Sequence, residues 1–355
     1  MTKAERFLTA IKGGVPDKVP FVLAVIYQNV QEAIIGHEIT LPVYNGRNNA
    51  GWLGHPDDEA KPDVEPVFSC VPECAEKLHV DAVAIQVHPP MFVTWDMRGG
   101  DATVGSGLID SEEMYRKCKA VMPDPDDPVR LDKIKGMVEL CREHEFAVGV
   151  KIRLRASPTL LSIGMENLAV MMAEEDDTFE KTLEMYTSWS RRFNKNLMEL
   201  GFDYFWTADD IAYTKSMLIS PTMFREYFKE RMKRAMEPIR VPFIYHSDGN
   251  YSLVLEDLLE MGVDAIHPVE RGSMDQEWLL KNYKGRVGMI GNVDINHILK
   301  DATVEEVYED VRTRIETFGP GGGYVICDSN SVPGWCSPRN VMAMSEAVEK
   351  YRNIY

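Results

Sequence analysis

The sequence has no long apolar run. No stretch approaches the roughly 18 consecutive apolar residues that a membrane-spanning helix needs. The start, Met1 to Arg6, leads into an amphipathic helix pattern and lacks the apolar segment of a secretory signal peptide. We therefore expect a cytoplasmic protein with no membrane partner.

Positive charge is also scarce. The chain has 39 Lys and Arg residues against 56 Asp and Glu residues, a formal net charge of -17. It has no Lys/Arg cluster of the kind that follows a phosphate backbone, so a nucleic-acid partner is not expected. The hydrophobic share of 45% is enough to bury a sizeable core.

The cysteines show neither the spacing of a disulfide framework nor that of an iron–sulfur cluster. The six cysteines have no disulfide-framework spacing, and a chain of this length does not need such cross-links. Cys70 and Cys74 form a single CxxxC on a predicted helix, without the third cysteine that an iron–sulfur cluster usually requires. We expect reduced thiols, with this pair serving as packing residues.

No GxGxxG fingerprint opens the first strand-to-helix crossover, and the glycines at 321–323 precede a strand, which is the wrong side for a dinucleotide site. Short apolar runs instead alternate with helical patterns along the chain. This alternation predicts a parallel sheet with helices outside it, closed into a (β/α)8 TIM barrel, with an open doubly wound sheet as the alternative. The eight predicted strands are 20–26, 82–87, 147–152, 204–206, 242–245, 265–266, 287–290 and 324–326.

One domain over residues 1–355 is the simplest organisation, because the chain has no internal repeat and no low-complexity linker. Two polar segments interrupt the alternation. The segment 36–66 follows the first strand and is expected to form a lid or an oligomer contact, such as a homodimer interface. The segment 97–107 is a second excursion, after the second strand.

Polar residues follow nearly every predicted strand, and in a TIM barrel the carboxyl ends of the strands carry the catalytic groups. Three of the eight histidines and one cysteine fall there. The residues that follow the strands are Tyr27, Gln28, Asn29, His88, Arg153, Asp209, Asp210, His246, Ser247, Asp248, His267, Glu270, Asn292, Asp294, Cys327 and Asp328.

The segment His246-Ser247-Asp248-Gly249-Asn250 permits two interpretations. In the first, His246, Asp248 and the distant Cys327 bind zinc, since imidazole, carboxylate and thiolate are all zinc donors and a catalytic site typically takes three protein ligands. In the second, His246 is hydrogen-bonded at the barrel rim and Asp248 caps the turn before the next helix. Spacing alone does not decide between them.

Two further sets are candidates for substrate contact. Asp209 and Asp210 are a candidate acid/base or orienting pair, although neighbouring side chains on a strand point apart, so only one is expected to face the mouth. Aromatic residues could line a pocket for a flat apolar substrate, or could be ordinary core and rim residues. They are Tyr27, Trp95, Trp206, Tyr213 and Trp335.

Several stretches, spread over nearly the whole chain, form a recognisable series. They are Glu5-Arg6 through Pro16-Asp17-Lys18-Val19-Pro20, Asp209-Asp210 with Ser220-Pro221-Thr222-Met223-Phe224, His246-Ser247-Asp248-Gly249-Asn250, Gly262-Val263-Asp264-Ala265-Ile266-His267-Pro268, Gly291-Asn292-Val293-Asp294, Gly321-Gly322-Gly323-Tyr324 and Pro338-Arg339-Asn340-Val341. Together and in this order they resemble the uroporphyrinogen decarboxylase superfamily. The resemblance implies a (β/α)8 barrel whose site lies at the carboxyl end.

Two departures select a branch of that superfamily. The decarboxylases carry an Arg-rich segment after the first strand for an acidic porphyrinogen, whereas residues 22–29 contain no arginine. In corrinoid-dependent methyltransferases that methylate a thiol, a His-x-Cys pair and a later cysteine bind zinc. Here His246 matches the histidine, Asp248 replaces the first cysteine and Cys327 matches the second.

An oxygen ligand donates less electron density than sulfur, so the resemblance with this substitution implies a harder Lewis acid. Such a site suits an O-demethylase component of anaerobic metabolism. It would take methyl from a methoxylated compound, with an aromatic one as first candidate, to Co(I) of a cobalamin-type corrinoid, carried by a partner protein docked at the barrel mouth. The alternatives are methyl transfer to a thiol or another acceptor, an aliphatic donor such as a quaternary amine, uroporphyrinogen decarboxylation, and a non-catalytic tetrapyrrole-binding barrel.

The resemblance then suggests a role for each candidate residue. The metal ligands would be His246 and Cys327, with Asp248 as third ligand and Glu270 as its replacement if Asp248 only caps the turn. Asp209 and Tyr213 would orient the substrate as catalytic residues, together with Asp248. The expected substrate-binding residues are Tyr27, His88, Trp95, Trp206, Asp210 and His267.

Overall fold

Seven parallel strands form the centre of the fold in the computed structural model, which describes residues 1–45, 53–59, 62, 64–98 and 101–355, with the backbone alone at 95–98 and 101–103. Each strand pairs with its neighbours in chain order. The strands are β1 (Ala82–Gln86), β2 (Ala147–Ile152), β3 (Tyr204–Ala208), β4 (Phe243–His246), β5 (Ala265–His267), β6 (Gly288–Val293) and β7 (Tyr324–Asp328).

The segment 20–26 closes this sheet into a barrel. Phe21 forms a parallel bridge with Ile326 of β7, and its carbonyl oxygen accepts a hydrogen bond from the Asp81 amide, directly before β1. The predicted (β/α)8 TIM barrel is therefore confirmed. The first predicted strand is only partly regular, because the segment makes isolated bridges in place of a continuous ladder.

Every residue of the seven strands is buried. This pattern is typical of parallel strands that are covered on both faces, here by helices outside and by packed side chains inside. Helix Lys3–Ile11 plugs the amino end of the barrel, where the rings of Phe7 and Tyr204 lie 4.9 Å apart. The opposite, carboxyl end is therefore the one available for a site.

Buried charges fix the amino-terminal helix and the carboxyl-terminal residues to the barrel. The Asp81 carboxylate is fully buried and accepts from Arg6, from Arg352 and from the Phe21 amide. These bonds join three parts of the chain that are distant in sequence at the closed end of the barrel.

Helices follow the strands on the outside. Several begin with a serine or threonine cap, and two of these place proline at the first helical position, Pro221 and Pro338. The α-helices are Lys3–Ile11, Gln28–Ile35, Pro72–Lys77, Glu112–Ala120, Pro128–Arg142, Ala156–Ile163, Met165–Ala173, Thr178–Met198, Pro221–Met223, Glu230–Met236, Leu255–Glu260, Gln276–Tyr283, Val304–Phe318 and Pro338–Tyr351, with a π-helix at Phe224–Lys229 and a 3-10 turn at Ser252–Val254.

Short strands flank the barrel. Val67–Phe68 pairs antiparallel with β1, and Ala212–Tyr213 forms a hairpin with Ser216–Met217. The segment 97–107, expected as a polar excursion, contributes to an antiparallel pair between Met91–Arg98 and Asp101–Gly107. Part of the predicted excursion 36–66 lies outside the described residues, and Leu53–Gly54 within it pairs with Met91–Arg98.

Within the described ranges, none of the helices combines the length and the apolar character that crossing a bilayer demands.

Candidate functional site

A cavity of about 190 Å³ opens at the carboxyl ends of the barrel strands. Its wall is mostly polar, and it collects side chains from β1, β2, β3 and β4 and from the segment after β7. The lining residues are Val25, Tyr44, Gln86, His88, Lys151, Arg153, Ala208, Asp210, His246, Asp248, Asn330 and Ser331.

A chain of hydrogen bonds assigns the tautomer of His246, the last residue of β4. His267 Nε2 lies 3.3 Å from the carbonyl oxygen of Asp328 and therefore donates. His267 Nδ1 is then unprotonated and accepts from His246 Nδ1, 2.7 Å away. Burial lowers the pKa of both imidazoles well below the usual value, so both are neutral. This leaves His246 Nε2 with a lone pair.

That lone pair faces two carboxylates. His246 Nε2 is 3.5 Å from Asp210 Oδ1 and 3.6 Å from Asp248 Oδ1. The nitrogen carries no proton to donate, so three electron-rich atoms converge and repel one another. A cation held among them would turn this repulsion into attraction.

Asp248 has an oxygen with no hydrogen-bond partner. Its Oδ1 is buried and accepts from no described residue, whereas its Oδ2 accepts from Asn330 Nδ2 at 2.7 Å. Burial, followed by the charges of Asp210 and Glu270, raises the pKa of Asp248 to about 7. Both observations are expected of a carboxylate whose free oxygen is positioned to bind a cation.

The three residues fit a zinc ion. Asp210, His246 and Asp248 each offer one ligand atom, and these atoms lie within 4.8 Å of one another. Imidazole nitrogen and carboxylate oxygen are both zinc donors, and three protein ligands leave a fourth position open for a substrate. We call Asp210, His246 and Asp248 the ligand triad. It contains no sulfur, which favours a harder Lewis acid than a thiolate site provides.

The side of the cavity formed by β1 and β2 presents hydrogen-bond donors. Gln86 and Lys151 are register partners on these strands, and His88 and Arg153 lie within two residues of the strand ends. We call these four residues the donor wall. Burial lowers the pKa of Lys151 to about 8, an effect that the charge of Asp328 opposes, so the ammonium stays protonated at neutral pH.

The turn that carries Asp248 is fixed by a close backbone approach. Gly249 has a positive φ of 80°, and a Cβ atom there would lie 2.3 Å from the carbonyl group of Tyr213. The Asn250 amide donates to the same carbonyl at 3.0 Å. The hairpin Ala212–Tyr213 with Ser216–Met217 therefore supports the turn and holds Asp248 beside His246.

A Gly249→Ala variant is expected to lose about 2–4 kcal/mol of unfolding free energy and to bind zinc more weakly, because it adds a steric clash to an unfavourable φ. Gly262→Ala is the matched control, since Gly262 has a φ of 96° and nothing lies within 4 Å of the position that a Cβ would take there. It should lose only about 1–2 kcal/mol. Urea unfolding measures the unfolding free energy of both variants. Equal losses in Gly249→Ala and Gly262→Ala would contradict the role given to the Tyr213 contact.

The structure does not bring Cys327 or Glu270 into the ligand triad. Cys327 is buried inside the barrel, with its Sγ 3.6 Å from His267 Nε2 and 3.3 Å from Asp328 Oδ1. Glu270 accepts from Ser273 Oγ at 2.7 Å. Asp210, for which no metal role was predicted, lies next to His246 because β3 and β4 are neighbours, and it is the third member of the candidate triad.

Asp209 and Asp210 point in different directions, as expected for neighbours on an extended segment. The Asp209 carboxylate is fully buried and accepts from the Ala156 and Ser157 amides at 3.1 and 2.8 Å, with longer contacts to the Arg155 amide. It therefore caps helix Ala156–Ile163 and lies away from the cavity lining, as does the exposed Tyr213. Of the two aspartates, Asp210 is the one placed to act at the cavity.

Of the predicted aromatic residues whose side chains are described, none is part of the cavity lining. Trp206 is buried in the barrel interior, with its ring 4.9 Å from that of His267. Tyr213 and Trp335 are about half exposed. Tyr27 contacts Tyr44, the aromatic residue of the lining, edge to face at 5.0 Å. The Trp95 side chain lies outside the described part of the chain.

Of the other predicted substrate residues, His88 and Asp210 line the cavity, and His267 lies behind His246. Sequence reasoning missed Lys151, Gln86 and Asn330. Lys151 had a usable signal, since it is the charged residue within the otherwise apolar run 147–152. Asn330 had none, because it follows β7 in an irregular segment.

Comparison with known proteins gives a consistent set of matches. Residues 108–351 match the family model described as uroporphyrinogen decarboxylase (URO-D). The chain is 21% identical over 233 residues to the methylcobamide:CoM methyltransferase MtaA of Methanosarcina barkeri, which covers 64% of this chain and 67% of that protein. It is 22% identical over 225 residues to a methylated-thiol–coenzyme M methyltransferase of Methanosarcina mazei, covering 61% of this chain and 58% of that protein.

One solved structure is similar over almost the whole chain. It is a methyltransferase from Methanosarcina mazei, with a TM-score of 0.68, 18% sequence identity and coverage of 99% of both chains. At this level of identity the likeness establishes a shared fold. The matched region thus spans 67% of the length of the first curated relative and 58% of the second, whereas the structural match covers 99% of the solved chain.

Proposed function

This chain belongs to the uroporphyrinogen decarboxylase family, and from that premise we propose that it is a methyltransferase. It would move methyl from a small methoxylated compound, with an aromatic methyl ether as first candidate, to the Co(I) corrinoid of a partner protein. The two curated relatives are named as methyltransferases, one of them acting on a methylcobamide. This supports methyl transfer with a corrinoid as the reaction class.

The observation that carries the proposal is the ligand triad without sulfur. A zinc ion bound there would supply a Lewis acid that stabilises the negative charge developing on the oxygen released from the methyl group. Ether oxygen is a poor leaving group, so a harder Lewis acid suits this bond better than a thiolate-rich site does. Both curated relatives carry coenzyme M in their names, so methyl transfer to a thiol is the second candidate.

The chain's own residues would prepare the site in three ways. His246 offers an unprotonated Nε2, because its ring proton is on Nδ1 and is donated to His267 Nδ1. Asp210 and Asp248 would supply the two anionic ligands. Asn330 holds the second oxygen of Asp248 by donating from Nδ2. The metal would therefore meet ligands already oriented before the substrate arrives.

The cavity size supports a small substrate. Its volume of about 190 Å³ exceeds the roughly 150 Å³ of a cavity that holds benzene and is below the roughly 300 Å³ at which sites for drug-sized ligands begin. A volume in this range favours a substrate with a single substituted ring over a porphyrinogen with four pyrrole rings. Uroporphyrinogen decarboxylation is disfavoured for this reason as well as for the missing arginines.

The test is a methyl-transfer assay with the zinc-loaded protein. We expect cob(I)alamin to be converted to methylcobalamin in the presence of methoxylated benzoates or other small methoxylated acids, followed by the change in its absorption spectrum. The reverse assay supplies methylcobalamin and a thiol. Thiol methylation without turnover of any methoxylated compound would overturn the ether assignment in favour of the second candidate.

A further inference from the structure

The cavity has two chemically different sides. The ligand triad presents acceptors: His246 is the last residue of β4, and Asp210 and Asp248 lie two residues past the ends of β3 and β4. The donor wall, on β1 and β2 and within two residues of their ends, presents donors. If zinc is bound, its two charges are balanced by Asp210 and Asp248. Asp328, whose charge acts on Lys151, is not part of the cavity lining. Lys151 and Arg153 then remain as two cations with no further anion in the lining itself to balance them.

Two donor atoms of this wall, Gln86 Nε2 and Arg153 Nε, are buried without a hydrogen-bond acceptor among the described residues. Gln86 is buried, and its Nε2 has no hydrogen-bond partner among the described residues. Arg153 Nε likewise has no partner among the described residues, and Arg153 Nη1 donates to the Met91 sulfur at 3.6 Å. Lys151 is 5% exposed and forms no ion pair with a described residue, its ammonium lying 5.2 Å from the Trp206 ring centre. Leaving such groups without acceptors is costly.

His88 adds a donor of fixed orientation. Its Nδ1 accepts from the Arg153 amide at 3.1 Å, so the proton of the neutral ring is on Nε2. Burial keeps this ring neutral by lowering its pKa well below the usual value, with the charges of Arg153 and Lys151 adding to the effect. The imidazole therefore faces the cavity as a donor and offers no lone pair to a second metal.

We propose that the donor wall binds an oxyanion, a carboxylate or a sulfonate, on the same molecule that gives or receives the methyl group. This inference rests on the proposed function and narrows its substrate class. The substrate would carry its methyl-bearing atom toward the ligand triad and its anionic group toward Lys151 and Arg153. Two cations with amide and imidazole donors match the several acceptor lone pairs of such a group.

Binding calorimetry on the zinc-loaded protein tests this inference without relying on turnover. The probes are methoxybenzoate, the methoxybenzamide with the same ring substitution, and methoxyethanesulfonate. We expect methoxybenzoate or the sulfonate to bind about ten- to hundredfold more tightly than the neutral amide. Whichever of the two is preferred identifies the anion.

Lys151→Met and Arg153→Gln should each weaken binding of the preferred anion by about tenfold and leave binding of methoxybenzamide unchanged. Arg153→Lys should keep part of the preference, and thermal unfolding identifies any variant that fails to fold. Lys195→Met, at an exposed position on helix Thr178–Met198, is the matched control and should bind as the wild type does.

A wild-type protein that binds amide and anion equally, or variants that keep the preference intact, would overturn the inference. The outcome is separable from the proposed function. An anion preference that depends on Lys151, found in a protein that demethylates no methoxylated compound, supports the donor wall and refutes ether cleavage. Efficient demethylation of neutral ethers with no anion preference does the reverse.

Discussion

Replacing His246 with alanine is expected to remove bound zinc and to lower the rate of methyl transfer by about a hundredfold or more. His246 is the one nitrogen donor of the ligand triad, and its Nε2 lies between the carboxylates of Asp210 and Asp248. Without the imidazole, two carboxylates remain, and a catalytic zinc site usually has three protein ligands. Metal analysis of the purified variant and the methyl-transfer assay measure the two effects.

Two control variants sharpen this prediction. His297→Ala alters an exposed histidine whose partner is Asp301, and it should keep both zinc and activity. Cys327→Ala should keep stoichiometric zinc, because its thiol lies beside His267 inside the barrel and does not join the ligand triad. Zinc retained in His246→Ala, or lost in Cys327→Ala, would contradict the ligand assignment.

Alanine substitutions at the neighbouring residues Asp209 and Asp210 are expected to have opposite effects on stability and on zinc binding. Asp209→Ala should lower the unfolding free energy by about 3–5 kcal/mol, because the backbone amides that begin helix Ala156–Ile163 lose their buried acceptor. Its effect on zinc should be small where the protein still folds. Asp210→Ala should cost only about 1 kcal/mol, for one lost hydrogen bond from the Asp248 amide, and should strongly weaken zinc binding.

Urea unfolding and zinc titration of both variants measure this contrast. Because the two residues are adjacent and chemically identical, a general effect of removing negative charge near the mouth would change both variants alike. Similar losses of stability and of zinc affinity in the two proteins would therefore rule out the division of roles between them.

Much of the barrel could be predicted from the sequence. Strands β1 to β7 coincide with apolar runs, since a strand buried on both faces must be apolar almost throughout. The first strand was harder, because the segment 20–26 closes the barrel through isolated bridges and its apolar content does not reveal that irregularity. Helix Lys3–Ile11 reads as amphipathic, but nothing in its pattern indicates that it plugs the barrel.

The site was only partly predictable, for geometric reasons. His246 and Asp248 were candidate site residues because they follow a predicted strand. Sequence position could not tell which of Asp209 and Asp210 faces the mouth, because that depends on the backbone after β3. Cys327 is one residue from the end of β7, and its side chain is directed into the barrel interior toward His267. One step along a strand reverses the side chain, so spacing alone could not exclude it.

The donor wall could not be predicted from the sequence for a different reason. Lys151 and Gln86 are distant in sequence and meet only because β1 and β2 pair in the register that makes them partners. The positions of two predicted aromatic residues also depend on the fold, since Trp206 lies within β3 with its ring in the barrel interior and Tyr213 lies on an exposed hairpin after that strand.

The ligand triad is tested most directly by X-ray absorption spectroscopy at the zinc edge of the purified protein. The structure predicts a first shell of nitrogen and oxygen only, at about 2.0–2.2 Å, from His246, Asp210 and Asp248. A sulfur shell at about 2.3 Å would mean that a cysteine, with Cys327 the first candidate, binds the metal. That result would contradict the sulfur-free site on which the ether-cleaving assignment depends.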